Sequence, residues 1–204
     1  MSMGTAILIA AVFVFAVICA LYLSVTAGRL DRLHRRIDSS RASLDVQLAR
    51  RQAVASELAA SGLLDPATAT VIAVAAHAAR EAGDQDTRIA GDPLVNDGRR
   101  WLIESDLSGV LAEVFDDSYE VAEVMALPGG HDIVVSLAGI TRRVQLTRRF
   151  HNDGVRACRQ VRAHRFVRWF GLAGRTPWPS TVEMDDTPPT GLIFGPGEGR
   201  TLET

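Results

Sequence analysis

AILIAAVFVFAVICALYLSV, Ala6 to Val25, contains no side-chain charge and is almost wholly aliphatic or aromatic. Uncharged residues extend on both sides of it, from Met1 to Gly28. About 20 apolar residues in a helix match the hydrocarbon thickness of a bilayer, so this stretch predicts a membrane-spanning helix. Whatever follows Arg29 is then a domain held at a membrane. A cleaved signal peptide, leaving a secreted helical protein, is the competing reading, with Val25 and Ala27 at the −3 and −1 positions of a cleavage site. Against it stand the absence of a basic segment before the apolar run and a run about twice the usual length. Arg29, Arg32, Arg35, Arg36 and Arg41 follow the span closely. By the positive-inside rule they hold the C-terminal side in the cytoplasm. The expectation is one span of the plasma membrane, N-terminus outside.

Beyond residue 28 the 204-residue chain retains enough length for one domain with its own core and a tail. The net charge of −2 conceals large blocks. Residues 29–80 carry +3, 81–132 carry −10, 133–175 carry +9 and 176–204 carry −4. All 22 basic residues are arginine, which fits the coding bias of a GC-rich genome. Cys19 lies in the apolar stretch and Cys158 far along the chain, so no disulfide or metal pattern arises.

Leu30, Leu33, Ile37, Leu44, Leu48, Val54 and Leu58 recur at three and four residues, predicting an amphipathic helix continuous with the span. Ser40, Gln47 and Arg51 interrupt that stripe, which favours a bundle over a long coiled coil. Gly62 is placed to end the helix. Asp65-Pro66 opens an alanine-rich second helix reaching about Gly83. GDQDTRIAGDPLVNDG, 83–98, reads as a loop. A third helix is expected over about 99–125, broken near Tyr119, with Trp101, Leu102, Leu107, Leu111, Val114 and Phe115 in the core and its acids facing out. Pro128-Gly129-Gly130 turns the chain into a fourth helix, capped by Asp132 and running to about Phe170. Its buried face is Ile133, Leu137, Ile140, Val144, His151, Val155 and Cys158. From 176 the chain is Pro- and Gly-rich and is expected to be disordered, most clearly over 187–204. The fold class is therefore all-α: an N-terminal transmembrane helix (1–28), then an antiparallel four-helix bundle (29–175).

Short connections make consecutive helices antiparallel neighbours, so the acidic third helix and the Arg-rich fourth should pair by charge. Exposed ion pairs are weak, about 0–1 kcal/mol each, so register is the expected gain. Arg156, Arg159, Arg162, Arg165 and Arg168 exceed the available acids. Arg162, Arg165, Phe166, Arg168, Trp169 and Phe170 interleave cations with aromatics where the fourth helix returns towards the membrane, a composition suited to an anionic lipid surface or a partner.

LDVQLARR, 44–51, and TRRFHNDGV, 147–155, followed by WFGLAGRTPWP, 169–179, resemble the two signature segments of the LemA family of bacterial membrane-anchored helical proteins. The resemblance spans most of residues 5–186 and departs from the family at His151, around Ser56 and at Glu120. It implies an elongated antiparallel bundle behind one span, and a scaffold or adaptor in envelope or membrane organisation that binds protein partners or itself. Its motif residues here are Asp45, Gln47, Arg50, Arg51, Arg149, Asn152 and Asp153. Structural pairing, of Asp45 with Arg149 or Arg50, is the expected use of these residues.

Chemistry is sparse. The five histidines form no metal-binding motif, and GPGEG at 195–199 lacks the rest of a phosphate loop. The opposing reading is a membrane-bound hydrolase or metal-dependent enzyme using His77 and Glu81, four residues apart on one helix face. No catalytic residue, cofactor or metal is expected. The +9 block is offset by its −10 neighbour, so nucleic acid is not an expected partner.

Overall fold

The computed structural model describes residues 3–88, 93–171, 174 and 177–193, without the side chains of residues 6, 86–88, 93–97 and 166. The described residues are all-helical and contain no strand. Helix α1 spans Met3–Ala60, α2 Pro66–Arg88, α3 Pro93–Phe115, α4 Ser118–Ala126, α5 Gly130–Ala163 and α6 Arg165–Trp169. A single 3-10 turn follows at Thr190–Leu192. The chain divides into two compact units: 1–39 with 152–181, and 40–151 with 182–204.

Helix α1 runs unbroken through the apolar stretch and the amphipathic segment, 58 residues in all. Its most apolar 18-residue window has no buried residue, and it is long and apolar enough to cross a membrane. Gly62 takes φ +75°, a left-handed conformation that ends the helix where the sequence predicted. Asp65 caps α2, its Oδ1 accepting from the backbone N–H groups of Ala67 (3.0 Å) and Thr68 (3.2 Å).

Two corrections concern connections. The expected loop over 83–98 is largely helical: α2 extends to Arg88 and α3 starts at Pro93, while 89–92 lie outside the described residues. Proline at the first helical position costs no hydrogen bond, and Gly83 admits the Arg100 side chain beside α2. The break before α4 comes at Asp116-Asp117, where Asp117 caps the new helix through Tyr119 N at 2.8 Å. Helix α5 begins at Gly130, so Asp132, expected as its cap, lies instead inside its first turn. It stops at Ala163, with α6 as a separate short helix.

In the second unit α1, α2, α3, α4 and α5 enclose one cluster around Leu58, Ile72, Leu107, Phe115 and Leu137. A second cluster joins Leu44 and Leu48 of α1, Trp101 of α3, and Ile140 and Val144 of α5. Apolar spacing along each helix accounts for both clusters, with two corrections on α3: Leu102, expected in the core, is exposed, and Glu104, expected to face out, is buried. The residue that spoiled the stripe of α1 has a different explanation. Arg51 and Glu104 are both 0% exposed, with Nη2 donating to Oε2 at 2.8 Å. Arg51 also donates to Glu104 O (2.9 Å) and Ser108 Oγ (2.8 Å), and Gln52 donates to the other carboxylate oxygen at 2.7 Å. Nearby, Arg100 donates to Asp45 at 2.8 Å, and the guanidiniums of Arg41 and Arg100 stand 4.5 and 5.0 Å from the Trp101 ring centre. Glu104 and Arg100 of α3 thus pair with Arg51 and Asp45 of α1. The ion pairs expected between α3 and α5 do not occur among the described residues, although those helices share both clusters.

The expected disordered tail is a further correction. Residues 182–193 lie along the helices: Val182 and Met184 join the second cluster and Leu192 the first. Arg148 of α5 grips Asp186 with two bonds, 2.6 and 2.7 Å, and Asp116 accepts from Thr190 N at 3.1 Å. A Cβ on Gly191 would come within 2.5 Å of Phe115 O, so only glycine permits this approach. Alternating buried residues, not helical periodicity, hold the segment. Residues 194–204 lie outside the described residues.

Two outcomes follow. Removing one partner of a buried ion pair strands the other's charge, so Glu104→Leu should lower unfolding free energy by about 3–5 kcal/mol, whereas Arg51→Met with Glu104→Leu should recover most of the loss. Chemical denaturation of the four proteins of that cycle checks it, and additive losses would contradict the pairing. Hydrogen bonds from Thr190 hold the Asp116 carboxyl below its ordinary 3.8, and those from Thr187 do the same for Asp185. Each depressed carboxyl stabilises the docked segment above pH 3.8 and loses that contribution as pH falls through its folded-state value. The Thr187 and Thr190 amide resonances should therefore titrate with midpoints below 3.8; midpoints at or above it would contradict the assignment.

Candidate functional site

The first unit is built by α1 residues below 40 and the C-terminal part of α5. Ile37 packs with Val155 and Cys158, and Leu30 with Val161 of α5 and Val167 of α6. The pairs run in opposite directions along the two helices, so this contact is antiparallel. Leu30 is the first apolar residue after the uncharged stretch that ends at Gly28. Docking Val167 on it brings α6 level with the end of that stretch.

Around this contact the surface is cationic and aromatic. Arg29, Arg32 and Arg36 are exposed on α1, and Arg165 and Arg168 on α6. Neither guanidinium of the last two has a hydrogen-bond or ion-pair partner among the described residues. Trp169 is 82% exposed and Phe170 53%, with ring centres 5.7 Å apart. A five-residue helix with one buried valine has no room to cover those rings, so they face out. The Phe166 side chain lies outside the described atoms.

Arg162, expected on this surface, is instead buried at its edge. Its Nη1 donates to Pro177 O at 2.7 Å, and its guanidinium lies 4.7 Å from the Trp178 ring centre. Arg159 Nε donates to Pro179 O at 2.8 Å. These bonds lay the Pro177-Trp178-Pro179 run beside α5 and leave Trp178 55% exposed, a third aromatic on the same unit. Arg156 pairs with Asp153 at 3.0 Å on its own helix face. The arginine surplus over 156–168 is thus spent partly on carbonyls of the following segment, while Arg165 and Arg168 stay exposed. Alternating Pro and Trp after 176 was the signal for this segment, and a reading based on helical period passes over it.

Comparison of the chain with protein-family models, curated proteins and solved structures finds no match. Functional argument therefore rests on geometry and on the motif residues themselves. Those residues divide between the two units: Asn152 and Asp153 belong to the first, the others to the second. Arg51 and Asn152 are buried, Gln47 is half-buried, and Arg50, Arg149 and Asp153 are exposed. Asp45 pairs with Arg100, at 2.8 Å, and not with Arg149 or Arg50, because α3 presents that arginine at its level. His151, buried on the core face of α5, is 3.0 Å from Ser40 Oγ through Nδ1.

His77 and Glu81 do face each other, 3.5 Å apart, on an exposed stretch of α2. Among the described residues no third histidine, cysteine or acid joins them. Two exposed groups on one helix turn make a surface contact of little stabilising weight. Both cysteines are free, and burial pushes the Cys158 thiol up, away from the reactive thiolate.

Proposed function

We propose that this chain is a single-pass, membrane-tethered scaffold of the LemA type. In this reading residues 1–28 cross the plasma membrane with the N-terminus outside, and 29–175 form a cytoplasmic antiparallel four-helix bundle. The bundle binds protein partners or a second copy in organising the membrane or envelope. The end of the bundle nearest the anchor rests on anionic lipid through Arg165, Arg168, Trp169 and Phe170.

One observation carries the reading. Val161 and Val167 pack on Leu30, two residues beyond the uncharged run, while Trp169 and Phe170 beside them stay in solvent. Large aromatics exposed next to arginines, level with the end of an apolar helix, match the composition of a membrane–water interface, where amphipathic rings sit among headgroups and guanidiniums meet lipid phosphates. The uncovered apolar surface of α1 supports the span, since water is a poor solvent for it. Arg29, Arg32, Arg35 and Arg36 directly behind it support the orientation.

The test uses the full chain in lipid nanodiscs, with Trp101 and Trp178 replaced by phenylalanine so that Trp169 reports alone. Lipids brominated near the headgroup should quench its fluorescence more strongly in anionic than in zwitterionic discs, and added salt should weaken the effect. Arg165→Glu with Arg168→Glu should abolish the anionic excess. Quenching that is absent, or unchanged by the charge reversal, would reject the lipid contact.

A further inference from the structure

The acidic block of the sequence is only partly used by the fold. Glu104 is taken by Arg51 and Asp116 by Thr190, but Glu113, Glu120 and Glu123 are exposed and meet no cation among the described residues. All three border one trough of about 930 Å³ in the second unit, formed by the α1–α2 turn, the start of α2, the end of α3, and α4. Its apolar lining includes Leu64, Val71, Val110, Val114, Val124 and Leu127. Val71 and Leu127 are among the exposed large hydrophobics of the protein. Asp65 adds a fourth carboxylate to the rim, and no arginine or histidine lines it.

An apolar trough bordered by one sign of charge constrains its occupant in two ways. The occupant must carry an apolar stripe that gains by leaving water, and cations on both sides of that stripe. A helix with apolar residues three and four apart and Lys or Arg between them meets both requirements, and seating such a stripe in a groove is a common mode of peptide recognition. Other occupants fit less well. Anionic lipid has the wrong sign. The chain beyond residue 193 carries Glu198 and Glu203 against Arg200, so it too is net acidic. A second copy would offer the arginines of α5, but the apolar face of that helix is already buried in its own core at Leu137, Ile140 and Val144.

We propose that this trough docks a cationic amphipathic helix of a protein partner. The proposal rests on the scaffold reading and names the chemistry of what is scaffolded. The carboxylates steer the partner in and the apolar floor retains it, so affinity falls with added salt without vanishing.

The probe is a synthetic 18-residue peptide of leucine and lysine in helical amphipathic pattern, fluorescently labelled. It is compared with a scrambled peptide of the same composition and with a patterned leucine–glutamate peptide. The target is the full chain in zwitterionic nanodiscs, with empty discs subtracted. The patterned cationic peptide should bind about tenfold or more tightly than either control. Glu113→Lys, Glu120→Lys and Glu123→Lys together should remove about tenfold of that affinity while leaving the helical circular dichroism unchanged. Val71→Asp, in the wall of the trough, gives an independent apolar variant and should weaken binding similarly. Equal binding of the scrambled peptide, or undiminished binding to the triple variant and to Val71→Asp, would overturn the proposal, as would absence of binding. The assay uses neutral lipid and leaves Arg165 and Arg168 intact, so its failure leaves the lipid-contact result standing. Loss of lipid contact with peptide binding retained would reject the tether surface and leave the trough.

Discussion

A helix surface that is apolar all round, and that none of the described residues buries, is the constraint on which the rest depends. The uncharged stretch of α1 gains no partner helix; burial begins at Leu30, immediately after the first arginine. From that residue on the same helix changes character without breaking. One face goes into the core, first against α5 and α6 in one unit, then against α2, α3 and α5 in the other. The contact at Leu30 therefore marks where a helix suited to lipid becomes a helix suited to packing. The aromatics and arginines gathered there acquire their meaning from that position.

Within the second unit the polar groups act mainly as addresses. A fully buried Arg51–Glu104 pair gains little net stability over an apolar pair of the same volume, because both ions have left water. What it offers is a unique alignment of α1 with α3, since a slipped register would strand both charges. Arg148 and Asp186 do the same for the segment that follows the helices. The blocks of charge read along the sequence are thus resolved locally: α3 against α1, α5 against the chain that follows it. Glu113, Glu120 and Glu123 in the second unit, and Arg165 and Arg168 in the first, are among the exposed charges that the fold does not pair among the described residues.

Much of the helix architecture was legible in the sequence for simple reasons. Leu44, Leu48, Leu58, Leu137 and Val144 are buried because three-four spacing places them on one face. Gly62, Asp65 and Pro66 announce a helix end and start through chemistry that acts within a few residues. Arg51 was read as a flaw in the stripe because its partner lies 53 residues away and no local pattern points to it. Asp45 was assigned the wrong arginine for the same reason. The 182–193 segment was missed because an extended chain pinned by Val182, Met184 and Leu192 has no helical period, and its Pro and Gly content resembles that of an unfolded tail. At the candidate surface the residue types were legible, whereas the inward turn of Arg162 depends on the carbonyl of Pro177, which only the fold brings near.

The proposed function joins these parts. In that proposal an anchor would fix the protein at a membrane, arginines would set its direction, an aromatic end would settle on the lipid, and an acid-rimmed trough would remain for a partner. The membrane part of that proposal stands on the orientation of α1. The most direct measurement is cysteine accessibility in intact cells expressing the full chain, with Cys19 and Cys158 replaced by serine and alanine, and single cysteines placed at Thr5 or at Ser39. A membrane-impermeant maleimide should label the Thr5→Cys protein from outside and the Ser39→Cys protein only after permeabilisation. Labelling of both positions from the same side, or recovery of the chain in the soluble fraction, would contradict the account.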